Sequence, residues 1–201
     1  MNAFSSYSAS LTSDQFLFHE MRITAKLLAE GMTDEDVVAA IVRDNLFQYP
    51  TEKSLRKVAR ACLKRLQALE DAGLVHALAT LPATEAKQVC LYAMMCDSRL
   101  VRDFMVTVIG EKYRTLDMSW SRAELNAFFM RLAEQDDRVA LWSDATVQKI
   151  KGVLVRILVE NGYLDSFRAS HLNRVLPGAY LEEKIRARND IAALSAFSCM
   201  A

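Results

Sequence analysis

The chain has 201 residues, 52% of them hydrophobic and 25% charged, so it can bury a core and does not have the makeup of a disordered protein. Its 25 basic and 25 acidic residues cancel. That excludes a surface that is cationic throughout and confines any phosphate contact to a local patch.

Six Gly and three Pro, against plentiful Ala, Leu, Glu, Lys and Arg, favour helices over many short strands. The start, MNAFSSYSAS, lacks the basic and apolar regions of a secretory signal. No apolar run approaches the roughly 20 residues of a membrane helix. The cytoplasm is the expected compartment. There the four cysteines, Cys62, Cys90, Cys96 and Cys199, are expected to be reduced and structural.

Residues 1–12 are Ser-rich, with Phe4, Tyr7 and Leu11 available to pin them to a core. Ser13 or Thr12 is placed to cap a first helix running to about Glu30. Its apolar face would use Phe16, Ile23 and Leu27, with Met21 and Leu28 beside them. Gly31 ends it, as a residue that tolerates positive φ. In TDEDVVAAIVRDN, Thr33 is a good N-cap and the acidic first turn suits the helix dipole. Val37, Val38, Ile41 and Val42 form its apolar stripe. LFQYP breaks this helix, because Pro50 disfavours α geometry at Tyr49.

Thr51 caps the next helix. Leu55, Val58, Ala59, Cys62, Leu66 and Leu69 recur at three- and four-residue steps and face inward. Lys53, Lys57, Arg60 and Lys64 recur at the same steps on the other side, with Arg56 flanking, so this helix is strongly amphipathic. Gly73 is expected to end it. PATEAKQVCLYAMMC reads as a helix after Pro82. DSRLVRDFMVTVIGEKY reads as another, capped by Asp97 and interrupted near Gly110. Val89, Tyr92, Met95, Leu100, Phe104 and Val108 are expected core.

SWSRAELNAFFMRLAEQ starts a second unit, with Ser119 or Ser121 as cap. After a break at DDRVALW, Ser143 caps a helix ending at Gly162. Val147, Ile150, Leu154, Ile157 and Leu158 form its buried side, and Gln148, Lys149, Gly152 and Arg156 share the other. A mid-helix glycine costs up to about 1 kcal/mol against alanine, so Gly152 invites a close approach as its reason. YLDSFRASHL is the candidate for a small β wing, with Arg168 and His171 near its tip. A turn at Pro177–Gly178 precedes a short terminal helix. Residues 33–78 also slide onto 122–167 without a gap, which suggests a repeat in the order of elements.

A helix, a break and a second helix with a positive outer face match a helix-turn-helix, whose second helix enters the major groove. Cations one turn apart reach phosphates while the apolar side stays docked. The alternative is an ordinary solvated face, since Lys and Arg are good helix formers. Catalysis finds little support. His19, His76 and His171 are far apart, no H-E-x-x-H, G-x-S-x-G or P-loop pattern occurs, and EQDD at 134–137 fits a capped turn.

YSASLTSDQFLFHEMRITAKLLAEG, followed by NLFQYPTEKSLRKVARACLKRL, resembles the BrxA family, small proteins of the bacterial BREX (bacteriophage exclusion) defence systems. The Phe-x-x-x-Glu-Met-Arg run at 16–22 and the Asn-Leu-Phe-Gln-Tyr run at 45–49 carry the likeness. The resemblance implies a fold similar to the RNA-binding antitermination protein NusB. It also implies nucleic-acid binding, including double-stranded DNA, and a non-enzymatic part in methylation-dependent defence against phage. It brings no contact residues with it.

The expected fold is a mostly α multi-helix bundle with two helix-turn-helix-like units and a small β wing. Residues 1–80 form the first unit, 81–118 a helical connector and 119–201 the second, within one body. Double-stranded DNA is the expected partner, contacted by Lys53, Arg56, Lys57, Arg60 and Lys64, with Lys149 and Arg156 as a second region. Few Asn or Gln line the first face, so weak sequence preference is expected. RNA, or an acidic patch on a larger BREX protein, is the alternative partner. No cofactor, metal or catalytic residue is expected.

Overall fold

The computed structural model describes residues 6–198. Phe4 and Cys199 lie outside the described residues. By its internal contacts the chain divides into two units, one spanning 16–97 and the other joining residues up to 15 with those from 98 on.

The 16–97 unit contains α1 (Phe18–Ala29), α2 (Asp34–Arg43), α3 (Glu52–Ala68), α4 (Ala72–Thr80) and α5 (Ala83–Asp97). Helix α1 packs on α3 and α4, α2 packs on α3, and α5 packs on α3 and α4. Thr33 and Thr51 cap α2 and α3 as their sequence positions require, accepting from the N–H groups of Asp36 and Ser54. The α3 stripe is buried from Leu55 to Leu69, and Ile41, Phe47, Leu74, Leu78 and Tyr92 complete the core.

Several local expectations need correction. Residues Ala9–Thr12 form a 3₁₀ turn capped by Ser8, so Ser13 closes that turn and does not open α1. Helix α1 starts at Phe18, after Leu17 turns the chain at φ 54°. Its buried face is Met21, Thr24 and Ala25, while Ile23, Leu27 and Leu28 are only half-buried.

Gly73 does not end α3. Glu70 makes the turn at φ 48°, Asp71 caps α4 by accepting from Leu74 N–H at 3.0 Å, and Gly73 lies in the first turn of α4. In α2 the buried residues are Val37, Ala40 and Ile41, with Val38 and Val42 half-buried.

The second unit holds the 3₁₀ turn, α6 (Arg99–Phe104), a π turn (Met105–Ile109), α7 (Gly110–Thr115), α8 (Arg122–Gln135), α9 (Asp137–Ala140), α10 (Asp144–Glu160), α11 (Ala179–Ala187) and α12 (Ile191–Leu194). Ser98, not Asp97, caps α6, accepting from Val101 N–H. The expected interruption near Gly110 is the π turn just before it. A Cβ at Gly110 would lie 2.6 Å from Ser195 Oγ and 3.1 Å from the Ser195 carbonyl carbon, so only glycine lets the end of α12 lie there. Ser121 caps α8 with a full capping box through Glu124, and Ser143 caps α10. Asp136 caps α9, which is the role expected of the acidic run there.

Helix α10 packs on the 3₁₀ turn and α8 on α9. Phe104 sits edge-on to Trp120 and Phe128, with centroids 6.4 and 5.5 Å away. Leu11, Leu154, Tyr163 and Phe197 are buried with them. No strand forms among the described residues. In place of a β wing, residues 163–178 are irregular, and a single antiparallel bridge joins Ser119 to His171. Among the described residues no helix is long and apolar enough to cross a membrane.

Candidate nucleic-acid interface

The α3 ridge faces solvent as its periodicity requires. Lys53, Arg56, Lys57, Arg60 and Lys64 are all exposed. Arg65, the neighbour that breaks the pattern, is buried and donates to Phe16 O at 3.4 Å. The ridge is partly neutralised. Arg56 pairs with Glu52 at 3.3 Å, one helical turn away, and Lys64 with Asp97 at 2.8 Å. Among the described residues, Lys53, Lys57 and Arg60 form no ion pair.

Beside the ridge, α2 and α3 border a groove of ≈ 530 Å³. Val38, Ala39 and Leu63 form its apolar part, Asp34 and Glu35 line its α2 side, and Arg56, Arg60 and Lys64 its α3 side. Gln67 donates to Asp34 across it. Acids therefore stand opposite the bases on this side of α3.

A different balance holds in the second unit. A cleft of ≈ 860 Å³ lies between α8, α10 and the loop at 167–170. It is lined by Arg122, Lys149, Lys151, Arg156 and Arg168, and among the described residues no carboxylate lines it. None of these five cations forms an ion pair among the described residues. Two are steered by neutral acceptors. Arg156 Nη1 donates to Gln15 Oε1 at 2.8 Å, and Lys151 Nζ to Asn126 Oδ1 at 2.8 Å, with the Lys151 ammonium 5.5 Å from the Phe129 ring centroid. An amide acceptor fixes a direction without cancelling the charge.

The face of α10 expected from its period is present, since Gln148, Lys149, Gly152 and Arg156 all line this cleft. Among the described residues a Cβ at Gly152 would meet nothing within 4 Å, so none of them explains the glycine. The period did not reveal Arg122, Lys151 or Gln15. Arg122 opens α8, where a cation opposes the helix dipole, so helix stability alone does not ask for it. Arg168 arrives through pairing of the loop with residues 118–120, just before α8. Trp120 N–H donates to Ser170 O at 2.9 Å and Leu172 N–H to Met118 O at 2.8 Å. His171 is exposed and does not line the cleft. No group of His, Cys, Asp and Glu among the described residues could hold a metal ion.

The sequence model of the BrxA family matches residues 5–189. A BREX protein BrxA of Bacillus cereus (strain H3081.97) is 32% identical over 185 residues, which cover 92% of each chain. Another, of Paramagnetospirillum magneticum (strain ATCC 700264 / AMB-1), is 25% identical over 186 residues, again 92% of each. The crystal structure of an uncharacterized protein from Magnetospirillum magneticum has the same fold. Its TM-score is 0.80 over 97% of this chain and 100% of that one, at 23% identity.

Proposed function

The chain belongs to the BrxA family of BREX defence proteins, and from that premise we propose that it is a non-enzymatic, DNA-binding component of its system. The observation that carries this reading is the cleft bearing Arg122, Lys149, Lys151, Arg156 and Arg168 without a carboxylate among the described residues, on a chain whose charges cancel overall. Five unneutralised cations in one recess repel each other. Selection for stability alone would disperse or pair them, whereas a polyanion repays the cost.

The α3 ridge supplies a second contact region, through Lys53, Lys57 and Arg60 first and the paired Arg56 and Lys64 less. A convex helix with cations a turn apart suits the phosphates flanking a duplex groove. Contacts of this kind position a duplex and read little sequence, so a weak preference among duplexes follows. Titration of a labelled duplex against the purified chain at two salt concentrations tests the reading, with RNA of the same sequence alongside. Affinity should fall steeply with salt through counterion release, and Lys149→Glu with Arg156→Glu should lower it at least about ten-fold. A salt-indifferent affinity, or full binding by that folded double variant, overturns it.

The α2–α3 groove favours one other reading, docking on a larger BREX protein. Its apolar part between acidic and basic sides fits a peptide segment better than a polyanion. That reading expects no shift of DNA or RNA by the purified chain, and co-purification with a partner that Glu35→Arg and Arg60→Glu together abolish.

A further inference from the structure

We propose that the α8–α10 cleft takes an unpaired nucleotide strand, with a base stacked on Phe167 and the adjoining phosphates held by the cleft cations. This rests on the nucleic-acid reading above and names the form of ligand the cleft selects.

Phe167 is 57% exposed and lines the cleft. Its loop is tied at both ends. Tyr163, Leu164 and Leu172 are buried. Asn173 N–H donates to Tyr163 O at 2.8 Å, and its side-chain amide donates to Gly162 O at 3.2 Å and Asp165 Oδ1 at 2.8 Å. With the bridge to Ser119, just before α8, these bonds hold the loop's tip in place. An aromatic ring left in water on a fixed loop, beside cations, is the arrangement single-strand binders use. Stacking accepts any base, and the positive groove follows the backbone.

Concavity argues for a strand over a duplex. Proteins reach duplex bases with elements that protrude into the grooves. The exposed Lys149 and Arg156 can also meet a duplex backbone from outside, but the recess itself admits only something narrower, such as one strand or a base turned out of its stack. Gly152 adds a floor without a side chain, where a ligand can lie against helix backbone. Gln148 and Ser170 line the same recess and offer neutral hydrogen bonds to base edges.

The experiment compares fluorescence anisotropy of a labelled twenty-nucleotide single strand with that of its duplex. Phe167→Ala should weaken single-strand binding about ten-fold, the typical effect of removing one stacking ring, and leave duplex binding within about two-fold. In Phe167→Trp the new indole emission should be quenched by the strand, beyond any change the wild-type protein shows from Trp120 and Trp142. Equal losses on both ligands, no loss on either, or no added quenching overturns the proposal. The Lys149→Glu, Arg156→Glu protein separates the two readings. If it loses the duplex while Phe167→Ala loses nothing, the stacking proposal alone fails. If the wild-type chain binds no nucleic acid, both fail.

Discussion

Arg156 and Gln15 meet across 141 positions of sequence, at 2.8 Å, so a residue just after the 3₁₀ turn aims a guanidinium of α10. The bond leaves the charge intact and removes rotamer freedom that binding would otherwise have to remove. Gln15→Ala should therefore lower nucleic-acid affinity by two- to five-fold, about 0.5–1 kcal/mol, with little change in melting temperature. Anisotropy titration beside a thermal melt checks both halves.

The ridge on α3 is not uniform. Arg60 has no acidic partner among the described residues, whereas Lys64 meets Asp97 at 2.8 Å. The Lys64 side chain is 72% exposed, so its pair contributes at most about 1 kcal/mol to stability, yet it shields the charge. Arg60→Ala should reduce the slope of log affinity against log salt by about one on a duplex, and Lys64→Ala by clearly less. Equal slopes in the two variants would show that Asp97 gives up its partner freely.

At Gly152 stability and binding should move in opposite directions. Alanine meets no clash there and gains about 0.5–1 kcal/mol of helix stability, worth a few degrees in melting temperature. The added methyl narrows the cleft floor, so affinity should fall. A variant that gains stability and keeps full affinity would show that the floor is not used.

High pH should destabilise the protein. Burial, then the neighbouring Asp103, pushes the Tyr7 hydroxyl up to about 12. Burial, then the hydrogen bond to Glu20, pushes Tyr49 to about 12 as well. Both start from 10.0 in the unfolded chain, so each favours the folded state fully below pH 10 and loses that contribution as pH rises to about 12. Lys112 adds the same sign: burial alone would lower its pKa, but Asp117 and Glu124 together raise it. Melting temperature should hold steady from pH 7 to 9 and drop between 10 and 12. In Tyr7→Phe the drop should be shallower.

Much of the helical pattern was legible because caps and stripes are local. Thr33, Thr51, Ser121 and Ser143 each cap the helix they precede, and the α3 stripe from Leu55 to Leu69 is buried throughout. The misplaced boundaries share a cause. Leu17 and Glu70 turn the chain at positive φ, where a sequence reading looks first for glycine, and Gly73 sits inside a helix while Gly162, at φ 78°, does follow one. The cleft was half legible. Lys149 and Arg156 share a helix face, which period reveals. Arg122, Arg168 and Gln15 belong to other elements, brought in by a β-bridge and a turn that no period encodes. The ridge showed the same limit, since neither the Lys64–Asp97 pair nor the burial of Arg65 follows from spacing.

The discontinuity of the second unit has a consequence for synthesis. The 16–97 unit is contiguous, so all its partners have been synthesised by the time α6 is being translated, and it can fold as it emerges. The 3₁₀ turn made first has to wait for α10 before it finds its packing partner. The recess that gathers the cations is therefore among the last parts of the molecule to take shape. A nascent chain stalled before α10 should carry a folded first unit and no binding recess.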